Sequence, residues 1–414
     1  MSATVLVIGH NSGLLDALAR IGTGGARVCL LVEPSVAAAY PGAFEHPVVA
    51  EIRTSRYIFD DEAVEVGLAW HAEVGFDAVL PGKEFGVRAA AAIAAAAGLG
   101  YPGDTAVAAC TDKLVFRRLL AQAGFPTPRF RPVTGPGEVA DFVRDGGGRA
   151  VVLKPRNRNG SLGVRYIGAA GEVDRAWAES VGADEGLYKP VDRDIAVWFT
   201  YLAEQYLAGP EFSVELLVAG GEVVFTNITE KAVGRLPWFP EMRHRVPAVV
   251  PGPLGAALTA SGRRLAAALA VDSGLLHSEW RVDQGRVYPL ECALRFPGDR
   301  IAWLIELAYG INLAEQWLRC LGGIPTAVTA VARRHAATVF LDTAPGAVVA
   351  VHGAERFAAT HHPHELSLPH VGDRLGEARD SHSRAGFTVV DGDDRGAVDA
   401  AIRDFTTVTV ETRP

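Results

Sequence analysis

Glu279 and Glu291 stand equidistant from Gly285 in the string LLHSEWRVDQGRVYPLECALRFPGDRI. Alternating runs on both sides of a turn glycine predict a β-hairpin, in which residues equidistant from the turn become cross-strand partners. The chain is thus constrained to place two carboxylates side by side on one sheet face. That arrangement is unfavourable unless a cation neutralises it. Glu291 also lies in the apolar context YPLECAL, where an unpaired carboxylate is costly. Hard oxygen ligands of this kind suit Mg²⁺, which binds through one or two carboxylates together with nucleotide phosphates. The bland alternative is an exposed hairpin with its charges spread in solvent.

A second string, RAVVLKPRNRNGSLGVRYI, ends an apolar strand on Lys154 and continues into a loop with Gly160, Ser161 and Gly163. Glycines let a backbone approach a ligand closely, and successive backbone N–H groups can hold phosphate oxygens. Lys154 precedes its loop and no Gly-Lys-Ser/Thr follows, so this is not a Walker loop. On its own it reads as a solvated hairpin; beside the acidic strands it points to phosphoryl chemistry on ATP. EQYLAGPEFSVE adds Glu204, Glu211 and Glu215 around a Gly-Pro turn. Glu204 and the neighbouring backbone suit an adenine amino group and Glu211 a ribose, against the alternative of solvent-facing acids on an alternating strand. Arg295, four residues beyond Glu291, suits bidentate capture of a carboxylate or phosphate.

The organisation is α/β at the start and α+β in the centre. TVLVI is a continuous apolar run of the type found in buried parallel strands. LLDALARIG predicts a helix ending at Gly22, RVCLLVE a second strand, and DAVLPG a third, followed by the Ala-rich helix VRAAAAIAAAAGLG. This alternation implies a doubly wound parallel sheet over about the first hundred residues. In YPGDTAVAACTDKLVFRRLLAQAGFPTPRF, Asp104 or Thr105 is expected to cap one helix and Thr111 or Asp112 the next, which stops at Gly124. A new sheet begins at RAVVLKP, and YLAEQYLAGPEFSVELLVAGGEVVFTNITEK predicts a hairpin turning at Gly220–Gly221. One or two helices follow in DRIAWLIELAYGINLAEQWLRCLGG, then short strands from about residue 335 and a final helix and strand. The expected units are 1–108, an N-terminal α/β domain; 109–200, a lid-containing unit; and 201–414, a central and C-terminal unit.

With 414 residues, 49% of them apolar, the chain has material for several cores. Its net charge of −8 argues against nucleic-acid binding, which needs clustered Lys and Arg, but leaves small anionic ligands open. The start MSATVLVIGHN lacks the basic, apolar pattern of a signal peptide, and the Ala-rich run is too short to span a membrane. Cys29, Cys110, Cys292 and Cys320 show no metal spacing and read as reduced cytoplasmic thiols. GHNSG after the first strand departs from the dinucleotide fingerprint, since Asn11 occupies a position that requires glycine. It reads as a plain strand–helix turn, even though Glu33 would suit a ribose. The cluster HHPHE (His361, His362, His364) reads as a surface loop, because Pro363 keeps it extended and no second ligand group is apparent.

Taken in order, TDKLVFRRLLAQAGFPTP, VVLKP with its glycine loop, EQYLAGPEFSVE and HSEWRV…LECALRFPGD resemble the ATP-grasp superfamily of carboxylate–amine ligases. The resemblance covers nearly the whole chain and extends most closely to the L-amino acid ligases, or dipeptide synthetases. It implies the ATP-grasp fold. It also implies that Lys113 and Lys154 contact ATP phosphates, and that the loop Asn159–Val164 (Asn159, Gly160, Ser161, Gly163, Val164) covers them. Glu204, Gln205 and the backbone of Tyr206 or Leu207 correspond to the adenine site, and Glu211 to the ribose site. Glu279 and Glu291 correspond to the metal ligands for Mg²⁺, with Mn²⁺ as a substitute. Arg295 corresponds to the arginine that steadies an acyl phosphate or substrate carboxylate. EMRH resembles a substrate motif in which Glu241 meets an amine and His244 the reacting carboxyl, and Glu84 falls in the same substrate set. Two positions depart from the pattern. Ala293 replaces an asparagine that often adds a metal ligand, and Asp299 replaces a bulky residue four beyond the arginine, which implies a larger or more polar substrate pocket.

The resemblance implies a cytoplasmic enzyme that uses ATP to join a small carboxylate to an amine through an acyl phosphate, releasing ADP. A homodimer, amino acid substrates and a role in natural-product biosynthesis of the antibiotic type go with it, and no nucleic-acid or membrane partner. Two other readings share these residues: a biotin-carboxylase-like or purine-pathway enzyme, and a nucleotide-binding module without catalysis.

Overall fold

The computed structural model describes residues 3–22, 25–58, 60–183, 200–326, 328 and 331–414. The stretch 184–199, which closes the second expected unit, lies outside them.

The N-terminal sheet is parallel, with strand order Val49–Thr54, Arg27–Val32, Thr4–Ile8, Ala78–Pro81. Alternate residues of TVLVI face opposite sides of it. Val5 and Val7 pack with Leu14, Leu15 and Leu18 of helix Ser12–Ala19, while Leu6 and Ile8 pack with Trp70 and Ile93 of the helices behind. Both faces are therefore covered, which is why the strand is apolar throughout. Val49–Thr54 is a correction to the expected strand count, making the strand at Ala78–Pro81 the fourth in chain order. It lies at the sheet edge with alternating half-buried and exposed residues, Glu51 and Arg53 among them. That weak pattern lacks the apolar run of a central strand.

A sheet of eight antiparallel strands forms the centre: Arg286–Ala293, Gly274–Asp283, Glu211–Ala219, Glu222–Val233, Glu241–Val246, His335–Phe340, Phe387–Gly392 and Glu365–Ser367. The helix Gly252–Ala268 packs on one side through Leu258 and Leu265. Helices Ile301–Tyr309 and Leu313–Leu321 fill the space between this sheet and the N-terminal one, so one core joins both. A separate antiparallel sheet orders Phe130–Val133, Tyr201–Gln205, Val151–Pro155 and Arg165–Ile167. Tyr201–Gln205 thus pairs with the strand bearing Lys154 rather than with the hairpin that follows it. A small sheet of Arg374–Leu375, Gly346–His352 and Thr409–Arg413 completes the C-terminal region.

Some local expectations change. Helix Asp104–Thr111 is preceded by Gly103, and neither Asp104 nor Thr105 caps it; Asp104 is already its first residue. Asp112 does cap the next helix, Lys113–Gln122, accepting from the N–H groups of Leu114 and Val115. HHPHE is not simply a loop: His361 ends a helix, Ala354–His361, and pairs with Asp404, while His364 pairs with Asp391. All four cysteines are buried and free. Among the described residues no helix is long and apolar enough to cross a membrane.

Candidate active site

The first and fourth strands of the parallel sheet end side by side, where a doubly wound topology opens its crevice. Their loops press together so closely that a Cβ on Gly82 would lie 1.8 Å from the carbonyl oxygen of Gly9. Asn11 caps helix Ser12–Ala19 and also donates to the Gly82 carbonyl at 2.9 Å. The GHNSG turn therefore has a structural task, and it also lines a cavity of about 380 Å³ together with Lys83, Glu84, Glu241, Glu279, Glu291, Arg295 and Asp299. A second cavity of about 110 Å³ lies between the central sheet and the sheet bearing Lys154. Its walls include Lys113, Lys154, Asn159, Gly160, Ser161, Val164, Glu204, Gln205, Leu207 and Glu211. Gly163 and Tyr206 do not line it. Gly163 packs against Pro155, and Tyr206 supports the wall through Tyr166 and Phe239.

The acidic hairpin forms, with Glu279 opposite Glu291. It does so by an unexpected route. The turn holds two residues, Gln284 and Gly285, both with positive φ, and Asp283 pairs with Arg286. A regular ladder from that turn would set Glu279 opposite Leu290. A bulge between Trp280–Pro289 and Glu279–Glu291 shifts the register by one and restores the acid pair. Each acid has a lysine partner: Glu291 meets the Lys113 Nζ at 2.9 Å, and Glu279 meets the Lys231 Nζ at 2.8 Å.

Lys231 has a fully buried side chain and also reaches Glu241 at 2.6 Å and Glu211 at 3.1 Å. Burial works against its charge, but Glu241, Glu279 and Glu211 outweigh it and hold the lysine well above its ordinary range. Burial likewise opposes ionisation of Glu279, and Lys231 and His277 overcome it, setting that carboxyl at about 2. Glu211 has a further partner in Arg281. Its carboxylate is thus engaged on both sides in this structure.

Lys154 lies 2.7 Å from Glu204, and Arg117 grips the same carboxylate at 2.5 and 3.0 Å while donating to the Pro289 carbonyl at 2.8 Å. Arg117 thereby ties helix Lys113–Gln122 to both sheets. Burial, helped by Arg117 and Lys113, pulls Lys154 down to about 8 against the attraction of Glu204. Glu204 resists its own burial through Arg117 and Lys154 and stands at about 2. Both its oxygens are occupied, contrary to the expectation that Glu204 is open to an adenine amino group; Gln205 and Leu207 line the cavity beside it, with the Gln205 N–H donating to the Arg129 carbonyl and the Leu207 carbonyl accepting from Arg281.

In the larger cavity, the Arg295 Nε donates to Glu84 at 2.7 Å, joining the central sheet to the N-terminal domain. Burial raises Glu84, and Arg295 offsets this only in part. His244 does not line either cavity, contrary to the expectation that it meets the reacting carboxyl: it is fully buried behind the wall, its Nε2 2.9 Å from Asp299 and 3.3 Å from Glu241. Burial lowers its basicity, but these two acids prevail and raise it. Asp299 does not open a bare polar pocket: Arg384 binds its two oxygens at 2.6 and 2.8 Å.

Sequence reasoning missed Arg117, Lys231, His277, Arg281 and Arg384. Two of them carried a signal. Arg117 falls within the apolar stripe Leu114, Phe116, Leu120 of its helix. Asn227, Thr229 and Lys231 occupy the buried face of their strand while Ile228 lies on the other, an inverted alternation. The acids around the hairpin fit a divalent cation by donor type. Groups of three ligand atoms within 4.8 Å occur at Glu211–Glu241–Glu279 and Glu241–His244–Asp299 among the described residues. Glu291 joins neither group, its carboxylate being turned to Lys113.

Residues 148–302 match the family model described as the ATP-grasp domain. The chain is 29% identical to a D-alanine–D-alanine ligase of Marinobacter nauticus over 39% of its own length and 43% of that protein's. It is 25% identical to an L-arginine-specific L-amino acid ligase of Bacillus subtilis, covering 53% of this chain and 52% of the other. The chain thus spans about half or less of these curated relatives. The crystal structure of an L-amino acid ligase from Bacillus licheniformis superposes with a TM-score of 0.79 at 20% identity, covering 100% of this chain and 99% of that one. The fold is that of an ATP-grasp protein.

Proposed function

We propose that this chain, which carries an ATP-grasp domain within an ATP-grasp fold, is an ATP-dependent carboxylate–amine ligase acting on small molecules. One observation carries the reading: Glu241, Glu279 and Glu291 wall both the smaller, lysine-lined cavity and the larger one that holds Arg295. In this reading ATP enters the smaller cavity, with adenine beside Gln205 and Leu207 and phosphates toward Lys113, Lys154 and the loop Asn159–Val164, and the cavity of about 110 Å³ widens by movement of that loop to take it. A carboxylic acid in the larger cavity meets Arg295, with His244 buried behind the wall residues Glu241 and Asp299 and acting through them. Its oxygen attacks the γ-phosphorus, the bond to the bridging oxygen breaks, and ADP leaves. The neutral amine of a second substrate, held by Glu241 or Glu84, then attacks the acyl carbon and expels phosphate, which carries off the proton lost from the nitrogen and leaves an amide. Arg295, Lys113 and Lys154 are fixed donors toward the charge that builds on the transferred group. Mg²⁺, or Mn²⁺ in its place, would be held by Glu279 and Glu291 and supply charge neutralisation on the phosphate chain. Loop closure over the nucleotide would exclude water from the acyl phosphate. The division into 1–108, 109–200 and 201–414, a homodimeric assembly, a cytoplasmic location and natural-product biosynthesis belong to the same reading.

The test is phosphate release from ATP with amino acids and small acids, singly and in pairs, with mass spectrometry of the products. Release that needs a pair and yields the condensed mass supports ligation. ADP release stimulated by bicarbonate would move the protein to the carboxylases. Nucleotide binding without turnover of any pair would make it a binding module.

A further inference from the structure

The turn Asp380–Arg384, remote from every motif in the sequence, closes over the middle of the site. Asp380 stiffens it by accepting from the N–H groups of His382 and Ser383, each at 2.9 Å. From this frame Ser381 donates its N–H to the carbonyl of Gly160, in the glycine loop, at 2.9 Å. The His382 ring rests on the same glycine: a Cβ there would lie 2.8 Å from Nε2. Arg384 reaches the opposite way. It donates to the Glu241 carbonyl at 2.6 Å, to the two Asp299 oxygens, and back to the Ser381 carbonyl at 2.8 Å, with its guanidinium 3.5 Å over the Phe340 ring. Asp299 has a φ of +53°, in the left-handed region that Asp enters more readily than most non-glycine residues.

We propose that Arg384 is a positioning residue for the acyl-transfer step, and that its turn couples the substrate site to closure of the glycine loop. The proposal rests on the ligase reading above. The Arg384 fork occupies both Asp299 oxygens and so aims the Oδ2 that meets His244. Without it, Asp299 is a half-buried acid beside Glu241 with one fastening fewer. His244 and Glu241 then lose their common alignment. Because Ser381 and His382 belong to the same turn, the loop over the nucleotide is latched by the structure that sets the acyl end. Lysine keeps the charge of Arg384 but not its planar fork.

The test uses the full chain and an acid–amine pair that supports turnover. R384M should lower kcat for amide formation about a hundredfold, the scale on which small misplacement acts. KM for ATP should stay within about twofold, and phosphate released per amide formed should rise clearly above the native ratio. R384K should recover part of the loss. An unchanged phosphate-to-amide ratio, or a loss matched by an equal loss of ATP affinity, overturns the positioning role. A second arm needs no ligation. Binding of a non-hydrolysable ATP analogue is measured by calorimetry for G160A, H382A and the double variant. Backbone strain at Gly160 (φ +63°) is common to both Gly160 variants, whereas the clash with His382 exists only in the single one. The double variant should regain about tenfold in affinity over G160A; additive losses overturn the latch. If no acid–amine pair supports turnover, the ligase reading falls by itself, and the analogue cycle still decides the contact between turn and loop.

Discussion

Replacing Lys231 by Met leaves Glu211, Glu241 and Glu279 facing one another with their shared cation gone. The ammonium is fully buried and lies 2.6 to 3.1 Å from all three. Breaking a buried ion pair by removing one partner costs about 3–5 kcal/mol; here Glu211, Glu279 and Glu241 keep Arg281, His277 and His244 but lose the cation they share, which sets the cost toward the lower end. Unfolding entropy of about 2.1 cal/mol/K per residue gives about 0.9 kcal/mol/K for 414 residues unfolding together. The expected fall in Tm at pH 7 is therefore about 3–6 °C. The gap should narrow below about pH 4. Glu241 and Glu279 are held low in the native chain, so their contribution is present above the unfolded carboxylate range and lost as pH falls through the folded values. The three acids also place ligand atoms within 4.8 Å of one another. Without the ammonium they form a binding site for a hard divalent cation, and Mn²⁺ at a hundredfold over its dissociation constant should restore about 2.7 kcal/mol, or about 3 °C. The assay is thermal unfolding with Mn²⁺ or chelator at pH 7, and without metal at about pH 3. A variant as stable as the native chain, with the same metal response, would refute the reasoning.

E291Q should reduce turnover by roughly a hundredfold and flatten its dependence on Mg²⁺ concentration; native kinetics across a metal titration would remove Glu291 from the metal role. Lys154 stands at about 8, so ATP affinity should weaken as pH rises above 8, by up to about tenfold per unit, as the free amine loses its proton. In K154R that trend should vanish, which calorimetry across pH 7–10 would show. His277 is raised to about 9 as Glu215 and Glu279 overcome its burial. Its stabilisation is then complete below its unfolded value near 6.5 and lost as pH rises through 9, by at most about 3 kcal/mol. H277Q should flatten urea-unfolding stability over that window, and a native-like slope would exclude the assignment.

Much of the site was readable because it is local. The acid hairpin announces itself through a turn glycine and alternating flanks, and the loop after Lys154 through its glycines. The bulge at Pro289–Leu290 was not readable. Both acids sit at the same remove from Gly285, so a regular hairpin centred there satisfies the spacing as well as the bulged one does. Only a proline inside the strand hinted at irregularity. The residues that went unnoticed are those whose partners are distant in the chain. Arg117 and Glu204 are 87 positions apart, Lys231 and Glu279 48, and Arg384 and Asp299 85. Composition places such charges in the chain, and only the tertiary packing says which acid compensates which base. Val49–Thr54 escaped for the opposite reason: a half-exposed edge strand buries too little to leave an apolar run.

The two recesses have a common partition, since Asn159, Gly160, Glu241, Glu279 and Glu291 belong to the walls of both. One molecule can therefore lie across it, with an adenosine-like head on one side and an amino-acid-like tail on the other, if its waist is slim enough to cross a row of side chains. Each half would then present the other at high effective concentration, and a modest linker would turn two weak binders into a tight inhibitor.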